Sequence, residues 1–383
     1  MSVLRKNKGK VFVGLSGGVD SAVSAALLQK QGYDVTGVFI RITVPGYPCT
    51  AGADRLEAMR VAAHLRIPFF ELDLSKEYAR DVFQASIRGF GAGETPNPDA
   101  LCNRQIKFGA FYRFAKANGA DFIATGHYAK LTATEPLKAS VRLGLAARSA
   151  RAGEVRLLVG ADSEKDQSYF LWAVPQEVLA QTIFPVGGMH KVQVRALAKK
   201  FKLPNAGRKD SQGLCFLGPI SIDEMLKQEL RPEPGDVLSE DGEIIGHHEG
   251  AELYTLGQRH GFETSARGAD SSPLYVIAKN IAANTITVSP NKYPRNAAKT
   301  KIILRDENWI GQKVEGKVQA RFRYRQKLIP ATISFSNGRA EVELQEPHYV
   351  PVGQSLVLYV GEQASLPEGR CLGGGSVDKS VLA

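Results

Sequence analysis

The stretch "VFVGLSGGVDSAVSAALLQKQG", residues 11–32, decides the fold. Val11, Phe12, Val13 and Leu15 make a short apolar run of the kind that parallel sheets bury on both faces. From Ser21 the composition turns to helix formers, and Gly32 fits the left-handed residue that ends a helix. Between the two, Gly17 and Gly18 let the backbone bend tightly and approach a ligand. The helix that follows presents unpaired N–H groups and the positive end of its dipole, which suits a phosphate. Neither the lysine of a G-x-x-x-x-G-K-[ST] loop nor the G-x-G-x-x-G spacing is present.

The string SGGVDS at 16–21, set between a strand and a helix, resembles the PP-loop of ATP pyrophosphatases. Those enzymes cut ATP between its α and β phosphates and adenylate a substrate oxygen. The resemblance implies that Ser16, Gly17, Gly18, Asp20 and Ser21 line a pyrophosphate site. Asp20 would serve as a ligand for Mg²⁺ held between phosphates.

Outward from this motif, DVTGVFIRI, PFFELDL and ADFIATGHY read as further strands. Between them Leu56, Met59, Ala63 and Ile67 fall on one helical face, and Ile106, Ala110, Phe114 and Ala117 on another. Strands alternating with helices imply an α/β doubly wound parallel sheet, with ligands at the carboxyl ends of its strands. The loop at 16–21 and Gly126-His127 would both lie there. Near 205 the texture changes: "PNAGRKDSQGLCFLG" is polar, glycine-rich and aperiodic, a long mobile loop by its pattern. "PGDVLSEDGEIIGHHEG" carries a hairpin signal at Asp-Gly. From about 293 the short strands of "KIILRD", "KVQARFRYRQKLIPATISF", "RAEVELQ" and "QSLVLYV" fit a small β-barrel. The expected division is a catalytic domain at 1–210, a small, mostly β central domain at 211–292 and a C-terminal β-barrel at 293–383.

With 383 residues, 43% hydrophobic and 23% charged, the chain has an ordinary globular composition. No apolar run approaches the ~18 residues that suggest a membrane span. The expectation is therefore a cytoplasmic protein with no membrane partner, working as a monomer. A net charge of +10 is the sign expected of a protein that meets polyanions. The four cysteines, Cys49, Cys102, Cys215 and Cys371, include no C-x-x-C pair, which argues against a structural metal. In "ETPNPDALCNRQIKFGAFYRFAKANG", either Asn97 caps a helix with Pro98 as its first residue, or Asp99 caps it. The second alternative places Cys102 in the first turn and the first just inside the helix, and in either the dipole favours a thiolate. Asp99 works against that charge and makes more sense as a proton carrier. Cys215 lies between Leu214 and Phe216 in the glycine-rich loop.

SGGVDS at 16–21, TPNPDALCN at 95–103, ATGHY at 124–128 and KDQSYFL at 165–171 are followed by DSQGLCFLG at 210–218 and YTLGQR at 254–259. RYRQ at 323–326 and CLGGG at 371–375 complete the series. In this order the motifs closely resemble the tRNA-specific 2-thiouridylases, the MnmA family, along essentially the whole chain. That family thiolates carbon 2 of the wobble uridine of certain tRNAs, using ATP and persulfide sulfur from carrier proteins. The resemblance implies that Cys215 bears the persulfide, that Cys102 is the second catalytic cysteine and that Asp99 is the acid/base. Asn97, Pro98 and Asp99 would meet the target base. Gly14, Leu15, Ser16, Gly17, Gly18, Val19, Asp20, Ser21, Ile40 and Gly126 would bind the nucleotide. His127, Lys165, Asp166, Gln167, Arg323, Tyr324 and Gln354 would contact tRNA. Cys102 would attack the Cys215 sulfur, freeing a sulfide or resolving the product as a disulfide, which brings the two Cα atoms within roughly 7 Å. One departure stands out: "FIRITVPGYPC" lacks the Lys-Asn-Trp segment and acidic loop that usually follow the family's second strand.

The residues themselves add that Arg321, Arg323, Arg325 and Lys327 alternate along "QARFRYRQK". In a strand this puts four cations on one face, either a backbone-phosphate stripe or a solvated edge. His127 has a plain alternative as a hydrogen-bonded strand end, and Lys165-Asp166 as an exposed charge pair. Cys371 reads as a packed barrel residue, and Cys49 carries no role. Two other classes remain as competitors: a PP-loop ligase acting on a small metabolite, which needs no paired cysteines, and a non-catalytic RNA-binding protein that keeps the fold.

Overall fold

The computed structural model describes residues 8–47, 51–133, 155–210, 216, 220–265, 272–295, 297–360 and 369–382. The first sheet is parallel, in the order β3 (Phe69–Asp73), β2 (Asp34–Arg41), β1 (Lys10–Gly14), β4 (Phe122–Ala124), β7 (Thr182–Ile183). β1 sits at its centre because its residues are buried on alternate sides. Val11, Val13 and Leu15 pack with helix α1 (Val19–Gln31), helix α2 (Ala51–Leu65) and the helix Lys191–Lys200. Phe12 joins the core on the other face, against Phe70 and Phe114. Helix α1 ends at Gly32 in the left-handed region, φ 94°, with the Gly32 N–H returning to the Gln29 carbonyl.

Two helical faces differ from the pattern read off the sequence. In α2 the buried residues are Ala58, Val61 and Ala62, whereas Leu56 and Met59 are 47% and 37% exposed. Small side chains let this helix lie close on the sheet, so volume outweighed hydrophobicity in choosing the face. In the continuous helix at 98–117, Ile106 and Ala110 are buried as expected, but Phe111 and Ala115 follow them in place of Phe114 and Ala117. The turns at 103–110 are π-helical. Each wide turn takes an extra residue, so the apolar phase advances by one after it.

The middle of the chain forms a second sheet, β10 (Phe262–Thr264), β9 (Ile244–His248), β8 (Gly235–Leu238), β12 (Thr285–Ser289), β11 (Tyr275–Asn280). The predicted hairpin is its β8–β9 pair, turning through Gly242 at φ 85°. Six strands make the barrel: β13 (Thr300–Trp309), β14 (Gly316–Arg321), β15 (Ile329–Ser336), β16 (Arg339–Leu344), β17 (Ser355–Val360) and β18 (Arg370–Leu382). Pairing of β13 with β18 closes it. Its sheet also takes in β5 (Ala129–Ala133) and β6 (Val155–Val159), through the pairing of Leu157 with Cys371. Strands from the first part of the chain therefore belong to the barrel's sheet.

That junction is fastened by a buried ion pair. Arg321 Nη2 lies 2.6 Å from Asp166 Oδ2, with the two side chains 9% and 7% exposed. Asp166 also accepts from the Gly160 N–H, the Ser168 N–H and the Ser168 hydroxyl. Arg321→Met is expected to lower unfolding free energy by about 3 kcal/mol, since it strands a buried carboxylate. Urea denaturation measures this, and an unchanged midpoint would show that the Gly160 and Ser168 donors satisfy Asp166 alone. Cys371 is packed in the barrel as expected, and burial pushes its thiol up to about 12. Among the described residues no helix is long and apolar enough to cross a membrane.

Candidate active site

The loop after β1 and the turn after β4 meet at the carboxyl ends of the parallel strands, where the strand order reverses. Gly18 is the N-cap of α1 and supplies no side-chain cap. Ser21 closes the loop on itself: its hydroxyl accepts from the Ser16 N–H at 3.2 Å and donates to the Gly18 carbonyl at 3.0 Å. The helix N-terminus is thus left open to an anion. Glycine is needed at two places. Gly17 has φ +77°, and a Cβ there would lie 2.5 Å from the Asp54 carbonyl oxygen. A Cβ on Gly126 would lie 2.8 Å from both the Asp20 carbonyl carbon and the Ser21 nitrogen.

The resulting cleft encloses about 450 Å³. Gly14, Leu15, Ser16, Gly18, Val19, Asp20 and Ser21 line it, with Ile40 and Gly126 opposite. Gly17 does not line it. Its carbonyl instead accepts from Asn205 Nδ2 at 2.8 Å and Arg208 Nη1 at 3.2 Å, and Arg208 is ion-paired with Asp54. Residues 205–210, expected to open a mobile loop, are pinned to the phosphate loop.

Asp20 corrects a second expectation. Lys191 Nζ donates to both its carboxylate oxygens, at 2.7 and 2.8 Å, and the Tyr128 hydroxyl donates to Oδ1 at 2.8 Å. Among the described residues no group of three His, Cys, Asp or Glu could hold a metal ion. With an ammonium on Asp20 where a cation would sit, the side chains here do not fit a protein-held Mg²⁺. Lys191 also reaches Asp210, at 2.9 Å, which Lys165 and Arg195 pair with at 3.0 and 2.6 Å. Burial alone would push the Asp210 carboxyl up, but the Lys191 and Lys165 hydrogen bonds outweigh it and hold it at about 2. A carboxylate depressed in this way stabilises the fold above its unfolded value of about 4 and loses that contribution as pH falls towards about 2. Asp210→Asn should therefore flatten the fall in the urea midpoint across that window. An unaltered acid profile would count against the network.

The Asn97 side chain accepts from the Ala100 N–H through Oδ1 at 3.1 Å and so caps the helix, with Pro98 first. Asp99 is half-buried in the first turn, and Cys102 is 0% exposed. Cys102 does not line the cleft; Lys107 and Phe111, further along the same helix, do. Cys215 and Cys49 lie outside the described residues. Phe216 is described: it lines the cleft, packs edge-on to Tyr78 and faces Lys107.

The remaining predicted residues divide into two groups. His127, Lys165, Gln167 and Tyr324 line the cleft. His127 is packed between Phe108 and Phe184 with Nδ1 2.7 Å from the Thr125 hydroxyl. Burial, helped by Lys107, holds its pKa well below the usual value, so the ring is neutral. Gln167 Oε1 accepts from the Tyr128 N–H at 2.9 Å. Asn97, Gln354 and Arg323 gather instead around the buried Tyr169 hydroxyl, which donates to the Phe322 carbonyl at 2.9 Å. Arg323 itself donates to the Leu256 carbonyl. Asp166 belongs to neither group. Being buried against Arg321, it is a fastening of the fold and not an exposed partner of Lys165.

The four-cation strand is likewise corrected. β14 ends at Arg321 and the chain turns, sending Arg321 inward, Arg323 to the Leu256 carbonyl and Arg325 to the cleft. Sequence reasoning missed Tyr128, Lys191, Asn205 and Arg208. Tyr128 stood at the end of ATGHY, and Asn205 and Arg208 stood in "PNAGRKDSQGLCFLG", whereas Lys191 lay in no quoted stretch.

A family model described as the tRNA methyl transferase HUP domain matches residues 9–219. Two more match in order: the tRNA methyl transferase PRC-barrel domain at 223–290 and the aminomethyltransferase beta-barrel domain at 299–377. A tRNA-specific 2-thiouridylase MnmA of Enterococcus faecalis is 38% identical over 98% of this chain and 96% of its own. The tRNA-specific 2-thiouridylase MnmA 2 of Geobacillus kaustophilus is 39% identical over 97% and 95%. Among solved structures, a 4-thiouridine synthetase–RNA complex with bound ATP aligns over 58% of this chain and 50% of that one. Its identity is 18% and its TM-score 0.33, too slight a likeness to carry an argument.

Proposed function

This chain belongs to the tRNA-specific 2-thiouridylase (MnmA) family, and from that membership we propose the reaction its cleft performs. It is a tRNA-uridine 2-sulfurtransferase. In our reading the wobble uridine leaves its stack and enters beside Asn97, Pro98 and Asp99. Its O2 attacks the α phosphorus of ATP, and pyrophosphate departs into the loop at 14–21. Sulfur then replaces that oxygen. The terminal sulfur of a persulfide on Cys215, loaded by a persulfide carrier protein, attacks carbon 2, and AMP leaves with the uridine oxygen. The thiolate of Cys102 attacks the Cys215 sulfur and breaks the S–S bond, whose electron pair stays with the sulfur on carbon 2. A Cys102–Cys215 disulfide results, and an external thiol reduces it. Asp99 carries the proton.

The observation that supports this most is the uncapped N-terminus of α1 opening into a cleft that Lys107 and Phe111, on the helix capped by Asn97, also line. His127, Lys165, Gln167 and Tyr324, which line the cleft, with Arg323 and Gln354 beside Asn97, are the tRNA contacts of this reading. Asp166 is left out because it does not line the cleft and is held by Arg321. Mg²⁺ enters only as the counter-ion ATP brings, because Asp20 is already engaged by Lys191.

Nucleoside mass spectrometry on tRNA incubated with the protein, Mg-ATP and a persulfide donor tests the proposal. Wobble 2-thiouridine that depends on all three components supports it. A methylated uridine, or no modified base from a folded protein with competent tRNA and sulfur donor, would overturn it.

A further inference from the structure

The turn at 322–328, between two barrel strands, reaches the nucleotide cleft. Tyr324 and Arg325 both line it. Of the cations in "RFRYR", Arg321 is spent on Asp166 and Arg323 on the Leu256 carbonyl, whereas Arg325 is exposed and faces the cleft.

Three features hold this arginine in place. Its Nη2 donates to the Glu164 carbonyl at 2.9 Å, immediately before Lys165. Its guanidinium lies 5.2 Å from the Tyr324 ring centre, and that ring lies 4.7 Å from Phe170. The turn beneath is tied by Gln326, whose Oε1 accepts from the Phe322 and Arg323 N–H groups at 2.9 and 3.1 Å. Arg325 also has φ 60°, a left-handed conformation that a residue with a Cβ adopts at a cost. Glycine or asparagine would ordinarily occupy such a turn position. Strain of this kind gathers where a side chain is needed.

We propose that Arg325 binds a phosphate group of the nucleotide, so that the ATP site is completed by the C-terminal barrel. This rests on the adenylating role given to the cleft. A guanidinium has five N–H donors in a fixed fork, and one bond to Glu164 leaves enough for bidentate contact with phosphoryl oxygens. The helix N-terminus at Gly18 supplies neutral amides and a partial charge, Asp20 and Asp210 offset Lys191 and Lys165, and Lys107 and Lys209 also line the cleft. Arg325 adds to these a full positive charge from the barrel, in a planar fork that lysine lacks. Barrel placement and ATP affinity are thereby linked through one side chain.

The test uses the full chain and its Arg325→Gln, Arg325→Lys and Arg325→Gly variants. Equilibrium binding of ATP and of inorganic pyrophosphate is measured without tRNA, and binding of tRNA without ATP. Arg325→Gln should weaken both phosphate ligands about tenfold or more and leave tRNA affinity unchanged. Lysine should restore part of the loss. Arg325→Gly should raise the melting temperature, by relieving the backbone, while still weakening ATP, which separates binding from folding. Unchanged ATP and pyrophosphate affinity overturns the proposal, and a loss confined to tRNA would assign Arg325 to the RNA backbone instead. If wild type binds neither ATP nor pyrophosphate, the adenylating reading falls with it. If wild type binds both and the variants match it, only the role of Arg325 falls.

Discussion

Cys102→Ala is expected to lower 2-thiouridine formation by at least about 10³-fold while leaving ATP affinity within about twofold. Cys102 is fully buried near the start of the 98–117 helix and does not line the cleft, so nucleotide binding does not depend on its side chain. Alanine keeps the packing nearly intact and costs the fold on the order of 1 kcal/mol. Serine would place a hydroxyl in the same apolar setting, which makes alanine the cleaner variant. The measurement pairs nucleoside mass spectrometry with equilibrium ATP binding. Thiolation that persists in a folded Cys102→Ala protein would remove Cys102 from the chemistry.

Gly126→Ala should raise KM for ATP by about 100-fold with little change in unfolding free energy. The added methyl would lie 2.8 Å from the backbone of Asp20 and Ser21, closer than real contacts allow. A flexible side chain could swing aside, but here the neighbour is the main chain of the phosphate loop. The loop must move instead, and displacement of order 1 Å in a binding cradle costs about that factor. Steady-state kinetics at varied ATP concentration, set beside thermal melting, reads both effects. A KM close to wild type would mean that the loop after β4 does not position the phosphate loop.

Much of this site was legible in the sequence because its signals are local. The glycines at 17, 18 and 32, the apolar run at 11–15 and Asn97-Pro98 each specify a turn, strand or cap through their own backbone chemistry. Residues that act across the chain were hidden. Lys191 meets Asp20 across 171 positions and Arg321 meets Asp166 across 155, and neither pairing leaves a periodic trace. The π-helical turns after Cys102 were invisible for another reason: they change how many residues make a turn without changing which residues are apolar. "RFRYR" misled because alternation resembles a strand, yet the chain turns after Arg321 and each arginine has a different partner. In α2, close helix–sheet contact favoured alanines over the larger Leu56 and Met59.

Activation of the uridine by adenylation of O2 leaves a mark that an oxygen label reads. Substrate tRNA carrying ¹⁸O at carbon 2 of the wobble uridine is incubated with the protein, Mg-ATP and a persulfide donor. AMP is then isolated and weighed by mass spectrometry. One ¹⁸O is expected in AMP for each 2-thiouridine formed. Unlabelled AMP, or ADP and phosphate as products while 2-thiouridine accumulates, would contradict it.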